Sequence, residues 1–252
     1  MSRTYSAEAI IVNRKNFGES DRLITFISKY NGKFDALAKG VRKVASRRGP
    51  NLDLLNHVKA SFASGRNFDV LTEVQALDTF RDLKSDLRRI GSGFFAAEIV
   101  NELLVEDQDE REVFELLLDS LKLMNRESEE RKISNVLRSF EIKFLQTVGL
   151  KPQLNHCSLC NRKLSIFSNY LSPEVGGVMD QDCAKNELFS QRISTDALKI
   201  LRFYQSENWP AILRLKFPKV LEKEVQNILD SYLKYIIEKD LQSAKFLANI
   251  PN

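Results

Sequence analysis

The stretch RLITFISKYNGKFDALAK, residues 22–39, decides the fold class. Residues 22–30 are rich in β-branched and aromatic side chains, the composition of a strand. Residues 33–39 alternate: Phe34, Ala36 and Ala38 face one way, and Lys33, Asp35 and Lys39 the other, the two-residue period of a half-buried strand. Asn31-Gly32 stands between the two runs and predicts a hairpin closed by a type I′ turn, since both residues tolerate positive φ. Working outward, residues 7–12 form a further apolar run. Val58, Ala60 and Phe62 alternate with Lys59 and Ser61, and Ser64-Gly65-Arg66-Asn67 turns the chain into Phe68, Val70, Thr72 and Val74. Five short strands joined by tight turns favour a small barrel, which removes the edges that such strands would otherwise expose. An OB-fold is the commonest five-stranded solution, and an SH3-like barrel fits the same pattern.

Past residue 79 the period becomes helical. Leu83, Leu87 and Ile90 mark a stripe that Gly91-Ser92-Gly93 interrupts, and Phe94 to Leu104 continue it as a strongly apolar helix. Residues 111–124 are apolar on most sides, which predicts a helix buried in a bundle. Ile133, Leu137, Phe140, Phe144 and Val148 follow the 3–4 spacing, with Gly149 and Pro152 as a stop. Further helices are expected over 194–205 and 218–240. The expected class is therefore α+β: a barrel domain over residues 1–78, then a helical domain over 79–252 with a cysteine segment inserted at about 154–188.

Charge is uneven. The chain has 252 residues and a formal net charge of +4, yet residues 1–75 hold 13 Lys/Arg against 7 Asp/Glu. Ten of those cations lie between residues 14 and 48, against three acidic residues. Clustered cations of this kind are the footprint of a polyanionic partner, because they displace counterions condensed on a phosphate backbone. The candidate phosphate contacts are Arg14, Lys15, Arg22, Lys39, Arg42, Lys43, Arg47 and Arg48, with residues 42–48 expected as a mobile arm beside the barrel. Phe17, on the first turn, is either a base-stacking residue or a hydrophobic plug at the barrel mouth. No apolar run approaches the ~20 residues of a membrane-spanning helix, and the first residues lack a signal-peptide pattern, so a soluble protein is expected.

Residues 157–183 read CSLCNRKLSIFSNYLSPEVGGVMDQDC. A C-x-x-C in a chain with three cysteines suggests metal rather than a disulfide framework. Cys157, Cys160 and Cys183 want a fourth ligand. Asp180, three residues before Cys183, can supply an oxygen, whereas His156 is awkwardly adjacent to Cys157. A Cys₃Asp set would hold one structural Zn²⁺. The competing reading is a metal-free ribbon held by packing of Phe167, Tyr170 and Val178.

Three groups of residues, in order, resemble the bacterial recombination mediator family RecO along essentially the whole chain. The first is Gly18-Glu19-Ser20-Asp21-Arg22-Leu23 with Thr25, Gly32-Lys33 and Ala38-Lys39-Gly40-Val41-Arg42-Lys43. The second is the C-x-x-C with Gly176-Gly177 and Cys183, from which Asp180 departs by replacing a cysteine. The third is Tyr232, Ile236-Ile237-Glu238-Lys239 and Ser243-Ala244-Lys245-Phe246-Leu247. The resemblance implies an OB-fold, a helical domain and a zinc-binding element. It also implies binding of single- and double-stranded DNA, annealing of complementary strands and partnership with RecR. Engagement of the C-terminal tail of single-strand-binding protein and indirect help in loading RecA are implied too, in the bacterial cytoplasm at the nucleoid and without catalysis.

For the acidic tail, the segment with Arg131, Lys132, Arg138 and Lys143 beside Phe140 and Phe144 offers charge and an apolar groove. Two other function classes compete. A metal-dependent nuclease would rest on Glu106, Asp107, Asp109 and Glu110, although acidic residues before a helix more often complement its dipole. An RNA-binding barrel would account for the charge equally well. His57, opening a strand, reads as ordinary surface, and no Walker-type loop or nucleophile elbow is visible.

Overall fold

The computed structural model describes residues 4–44, 46–105, 110–165 and 168–250. Its first five strands are β1 (Thr4–Phe17), β2 (Asp21–Ser28), β3 (Gly32–Ala38), β4 (His57–Ala63) and β5 (Asp69–Asp78), and they close into a barrel in the order β1-β2-β3-β5-β4. Every neighbouring pair is antiparallel except β3 with β5, where Ala36 lies against Asp69 and Leu37 against Val70 in parallel. This is the OB-fold among the two barrels that the strand pattern allowed. The alternation expected in β3 holds: Ala36 and Ala38 are fully buried with Ile24, Phe26, Phe62 and Leu71 in the barrel core.

The β2–β3 turn differs from its expected type. Gly32 has φ +60, but Asn31 is not among the positive-φ residues, so the two-residue mirror turn does not form. Instead the buried Ser28 Oγ accepts hydrogen bonds from the amides of Tyr30 and Asn31. A side chain within the turn thus satisfies donors that the expected ladder would have paired. His57 is also not surface: it is buried, with Nε2 2.9 Å from Glu8 Oε1 and its ring beside Phe114.

Three helices follow the barrel: α1 (Arg81–Lys84), α2 (Leu87–Leu103) and α3 (Arg111–Arg126). Gly91-Ser92-Gly93 does not interrupt α2; all three are buried within it. A Cβ on Gly91 would stand 2.6 Å from Leu247 Cδ2, and one on Gly93 2.7 Å from Leu55 Cδ1, so the glycines mark close crossings. Helix α3 buries one face, through Val113, Phe114, Leu117, Leu121 and Met124, and leaves Arg111, Glu112 and Asp119 exposed. It is therefore a one-sided amphipathic helix, not one buried on most sides.

The chain continues through α4 (Glu130–Thr147), β6 (Asn169–Ser172), β7 (Gly177–Asp180), α5 (Gln181–Ala184), β8 (Gln191–Ile193), α6 (Thr195–Ser206), α7 (Trp209–Arg214), α8 (Lys219–Ile237) and α9 (Gln242–Ala248). Strands β7-β6-β8 make a small antiparallel sheet within the inserted segment. Two compact units result. One comprises the barrel, α1–α3 and the closing α9, over residues 1–127 and 242–252; the other spans 128–241. In the first, Glu98 of α2 accepts hydrogen bonds from the amides of Gln242 and Ser243, capping α9 from outside. In the second, α4 is central: Ile133, Leu137, Phe140 and Phe144 are buried as expected, and so are Asn135, Arg138 and Glu141.

Candidate nucleic-acid interface and metal centre

The turn between β1 and β2 and the loop after β3 are tied together at one end of the barrel. Gly18 takes φ +58 to open the first turn. Asp21 Oδ1 accepts a hydrogen bond from the Gly40 amide at 2.7 Å and another from Ser20 Oγ. That Gly40 bond is the main reason the Asp21 carboxyl titrates below its ordinary range, and Lys39 and Lys43 nearby act in the same direction. The Arg42 amide donates to the Ser20 carbonyl, and its guanidinium to that of Gly18. Arg48 donates to the carbonyls of Lys39, Leu71 and Thr72.

The segment expected as a mobile arm over residues 42–48 is thus tied to the barrel at both ends. Val41 is buried in the barrel core, and Arg48 staples the other end of the loop to β5. A guanidinium satisfied by three main-chain carbonyls serves the fold first. The exposed cations left on this docked loop are Lys39, Arg42, Lys43 and Arg47. Lys15, exposed, and Arg22, half-buried, stand on the β1–β2 hairpin, opposite Leu23 and Asn16 respectively. Arg14 departs from the group: its guanidinium lies 2.5 Å from Asp53 Oδ1 on the barrel wall.

Two residues that the strand pattern placed, but that were not among the candidate contacts, join this end of the barrel. Phe68, which leads into β5, packs edge-on against Phe17 with ring centroids 6.2 Å apart, and Arg66 is exposed on the same β4–β5 loop. Phe17 is 45% exposed and Phe68 37%, so Phe17 is not a plug in the barrel mouth. The signal was the topology: in an OB-fold the β1–β2 and β4–β5 loops flank the same face.

The segment with Arg131, Lys132, Arg138 and Lys143 does not form a groove for an acidic tail. Phe140 and Phe144 are fully buried and stacked on each other. Arg138 is buried against Glu141 and Asp230, both at 2.8 Å. Arg131 donates to the carbonyls of Leu213 and Leu215, Lys132 pairs with Glu129, and Lys143 donates to the Glu207 carbonyl. Arg131, Arg138 and Lys143 thus bind groups of the helical unit itself. Of the acidic stretch, Glu106, Asp107 and Asp109 lie outside the described residues. Glu110 is described: its Oε2 is buried without a hydrogen-bond partner among the described residues, and burial raises its pKa to about 7, against the opposing pull of Lys33.

In the second unit, Cys157, Cys160, Asp180 and Cys183 bring one ligand atom each within 4.8 Å of one another. Ligands on a tetrahedral zinc at ~2.3 Å lie about 3.8 Å apart, so the four fit such an ion. The local chain explains the convergence. The Cys157 amide donates to the Arg162 carbonyl, the Asn161 amide to that of Cys157, and Asn161 takes φ +57, forming a tight knuckle. Burial raises the Cys157 thiol, but amide donors from Cys160, Asp180 and Leu159 outweigh it and bring the thiol below its usual range. Gly177 lets β7 approach: a Cβ there would stand 2.3 Å from the Gln153 carbonyl oxygen.

Asp180 has two tasks. One oxygen accepts from the Cys183 amide at 3.0 Å and caps α5, while the other lies 3.1 Å from Cys160 Sγ. Its carboxyl is lowered to about 2, first by that amide. Arg162 reaches both Asp180, at 3.3 Å, and Cys160 Sγ, at 3.2 Å, and offsets the negative charge that three thiolates and a carboxylate would concentrate. His156 is not in the cluster among the described residues. Of the packing alternative, Val178 is buried and Tyr170 packs on the small core around Cys157 and Met179, while Phe167 lies outside the described residues.

An OB-fold barrel with a cationic, aromatic end, followed by a helical unit that carries a four-residue cluster fit for a metal, defines a class of nucleic-acid-handling protein. The family described as Recombination protein O matches twice, by its N-terminal part over residues 1–80 and its C-terminal part over 84–245. The chain belongs to that family. It is 34% identical over 248 residues to the DNA repair protein RecO of Roseiflexus sp. (strain RS-1), covering 98% of this chain and 86% of the relative. It is 29% identical to the DNA repair protein RecO of Dehalococcoides mccartyi (strain BAV1), covering 98% and 96%. The same description and identity hold for the relative from Symbiobacterium thermophilum, at 96% of each chain. Membership places the chain among DNA-repair recombination mediators. No helix among the described residues is long and apolar enough to cross a membrane.

Proposed function

We propose that this protein binds single- and double-stranded DNA through its barrel, anneals complementary strands, and helps load RecA onto single strands coated by single-strand-binding protein. It does so in the bacterial cytoplasm, at the nucleoid, with RecR and the tail of single-strand-binding protein as partners, and breaks no covalent bond. Family membership supports the repair role. The observation that carries the DNA contact is the docked loop: Lys39, Arg42, Lys43 and Arg47 are exposed beside the β1–β2 turn, where Lys15 and Arg22 add charge.

Annealing requires two repelling phosphate backbones to be neutralised at once while the bases stay free to pair, which cations achieve without reading sequence. Arg14 and Arg48 belong to the candidate set with a smaller share, since Asp53 and the barrel carbonyls already engage them. Residues 1–78 form the DNA-binding domain in this reading, and residues 79–252 the helical domain with its insertion at about 154–188. One structural Zn²⁺ on Cys157, Cys160, Asp180 and Cys183 would fix that insertion, supplying cross-links where the core is small.

Replacing Lys39, Arg42, Lys43 and Arg47 together by alanine tests the contact. The expected result is weaker binding to a duplex and a shallower dependence on salt, by about 0.9 in log–log slope for each phosphate contact removed. An unchanged slope and affinity across several salt concentrations would place the contact elsewhere.

A further inference from the structure

We propose that Phe17 and Phe68 form a base-stacking site that selects single-stranded over duplex nucleic acid; this rests on the barrel being the DNA-binding surface. The strand register locates the site. Ile24, Phe26, Ala36 and Leu71 point into the barrel core, so their neighbours Leu23, Leu37 and Val70 face outward. These three are only partly buried. They make an apolar floor on β2, β3 and β5, and Phe17 stands at the end of the paired β1–β2 hairpin, opposite Asp21.

Both aromatic rings are held in place by their loops. Asp69, next to Phe68, accepts hydrogen bonds from the Tyr5 hydroxyl at 2.5 Å and the Gly65 amide at 3.3 Å. Gly65 is required there, because a Cβ would stand 2.1 Å from the Phe68 carbonyl oxygen. The first turn is fixed by Gly18 and by the Arg42 guanidinium on its carbonyl. Two large apolar rings are therefore presented to water from hydrogen-bonded loops, meeting edge to face with part of each ring still open. Single exposed apolar residues are ordinary on protein surfaces. A contacting pair whose strands lead, by register, to the outward face of Leu23 and Val70, with the exposed cations Lys15 two residues before Phe17 and Arg66 two residues before Phe68, has the composition of a single-strand platform: π-faces for bases and ammonium or guanidinium groups for phosphates. In a duplex the base faces are already stacked on one another, so only an unpaired strand can use the rings.

The test compares a thymidine oligonucleotide, an abasic oligonucleotide of equal length and a duplex, for the full chain and for two double variants. Phe17→Leu with Phe68→Leu keeps the apolar floor and removes the π-faces; Phe17→Ala with Phe68→Ala removes both. Melting curves establish that each variant is folded. The wild type is expected to bind the thymidine strand about tenfold or more better than the abasic one, and both variants to lose that difference while keeping duplex affinity and salt slope. Equal wild-type affinity for thymidine and abasic strands, or an undiminished preference in folded variants, overturns the stacking site. Failure of the underlying reading looks different: the cation-to-alanine variant would then leave all three affinities unchanged.

Discussion

Single side chains in this protein repeatedly serve the fold where composition suggested function. Arg48 and Arg138 look interchangeable with Arg42 in the sequence, but one is engaged by three barrel carbonyls and the other by the buried Glu141 and the half-buried Asp230. Lys33, in the basic stretch, donates to the carbonyls of Asn101 and Leu104 at the end of α2, where a helix dipole welcomes a cation. Near it, Glu110 gives a titration that can be observed. Its folded pKa, raised by burial to about 7, lies above the ordinary value of 4.5. The group's contribution is therefore complete below pH 4.5 and lost as pH rises toward 7. Glu110→Gln does not titrate, so it should equal or trail the wild type at pH 4. Above pH 7 it should be more stable by on the order of 1 kcal/mol, a figure reduced for partial exposure. Melting curves across that range check the crossing, and a constant difference with pH would refute the assignment.

At the scale of elements, the closing helix α9 shows how a short helix is held by its neighbour. It has seven residues, too few to be stable alone, and depends on α2. Glu98 caps its first amides and accepts from Ser243 Oγ, and Gly91 leaves the space that Leu247 and Phe246 fill. Glu98→Ala should cost about 1–2 kcal/mol, because it leaves amide donors at the helix start without a charged acceptor. Gly91→Leu should cost about 1–3 kcal/mol by overpacking. In both variants hydrogen exchange of residues 242–248 should accelerate while that of β2 and β3 does not. The sequence shows Gly91-Ser92-Gly93 as a weak point in a helix; only the partner that lies across it makes the glycines a fitted contact.

At the scale of the whole molecule, the barrel closes a large apolar core, whereas the cysteine insertion closes a small one around Cys157, Met179 and Ala184. Loss of a metal should therefore be felt in the insertion alone. Chelation of zinc-loaded protein should release about one ion per chain, deprotect β6 and β7 to hydrogen exchange and leave the barrel amides unchanged. Asp180→Cys, which trades the α5 cap for a fourth thiolate, should hold zinc against a stronger chelator than the wild type does. Insertion amides that stay protected in protein shown to be metal-free would mean that packing alone holds it.

What the sequence determined by itself are the features set by local periodicity: the five barrel strands, the long helices, the stop at Gly149 and the C-x-x-C knuckle; the three short strands of the insertion were not legible there. The concentration of cations before residue 48 belongs with them, because charge is additive along a chain. Only the tertiary structure decided which cations stay exposed and that Phe68 meets Phe17 from fifty residues away. Those outcomes depend on strand order and loop docking, through the parallel β3–β5 pair above all. No local pattern encodes them, since they arise when distant segments compete for the same few hydrogen bonds and the same apolar surface.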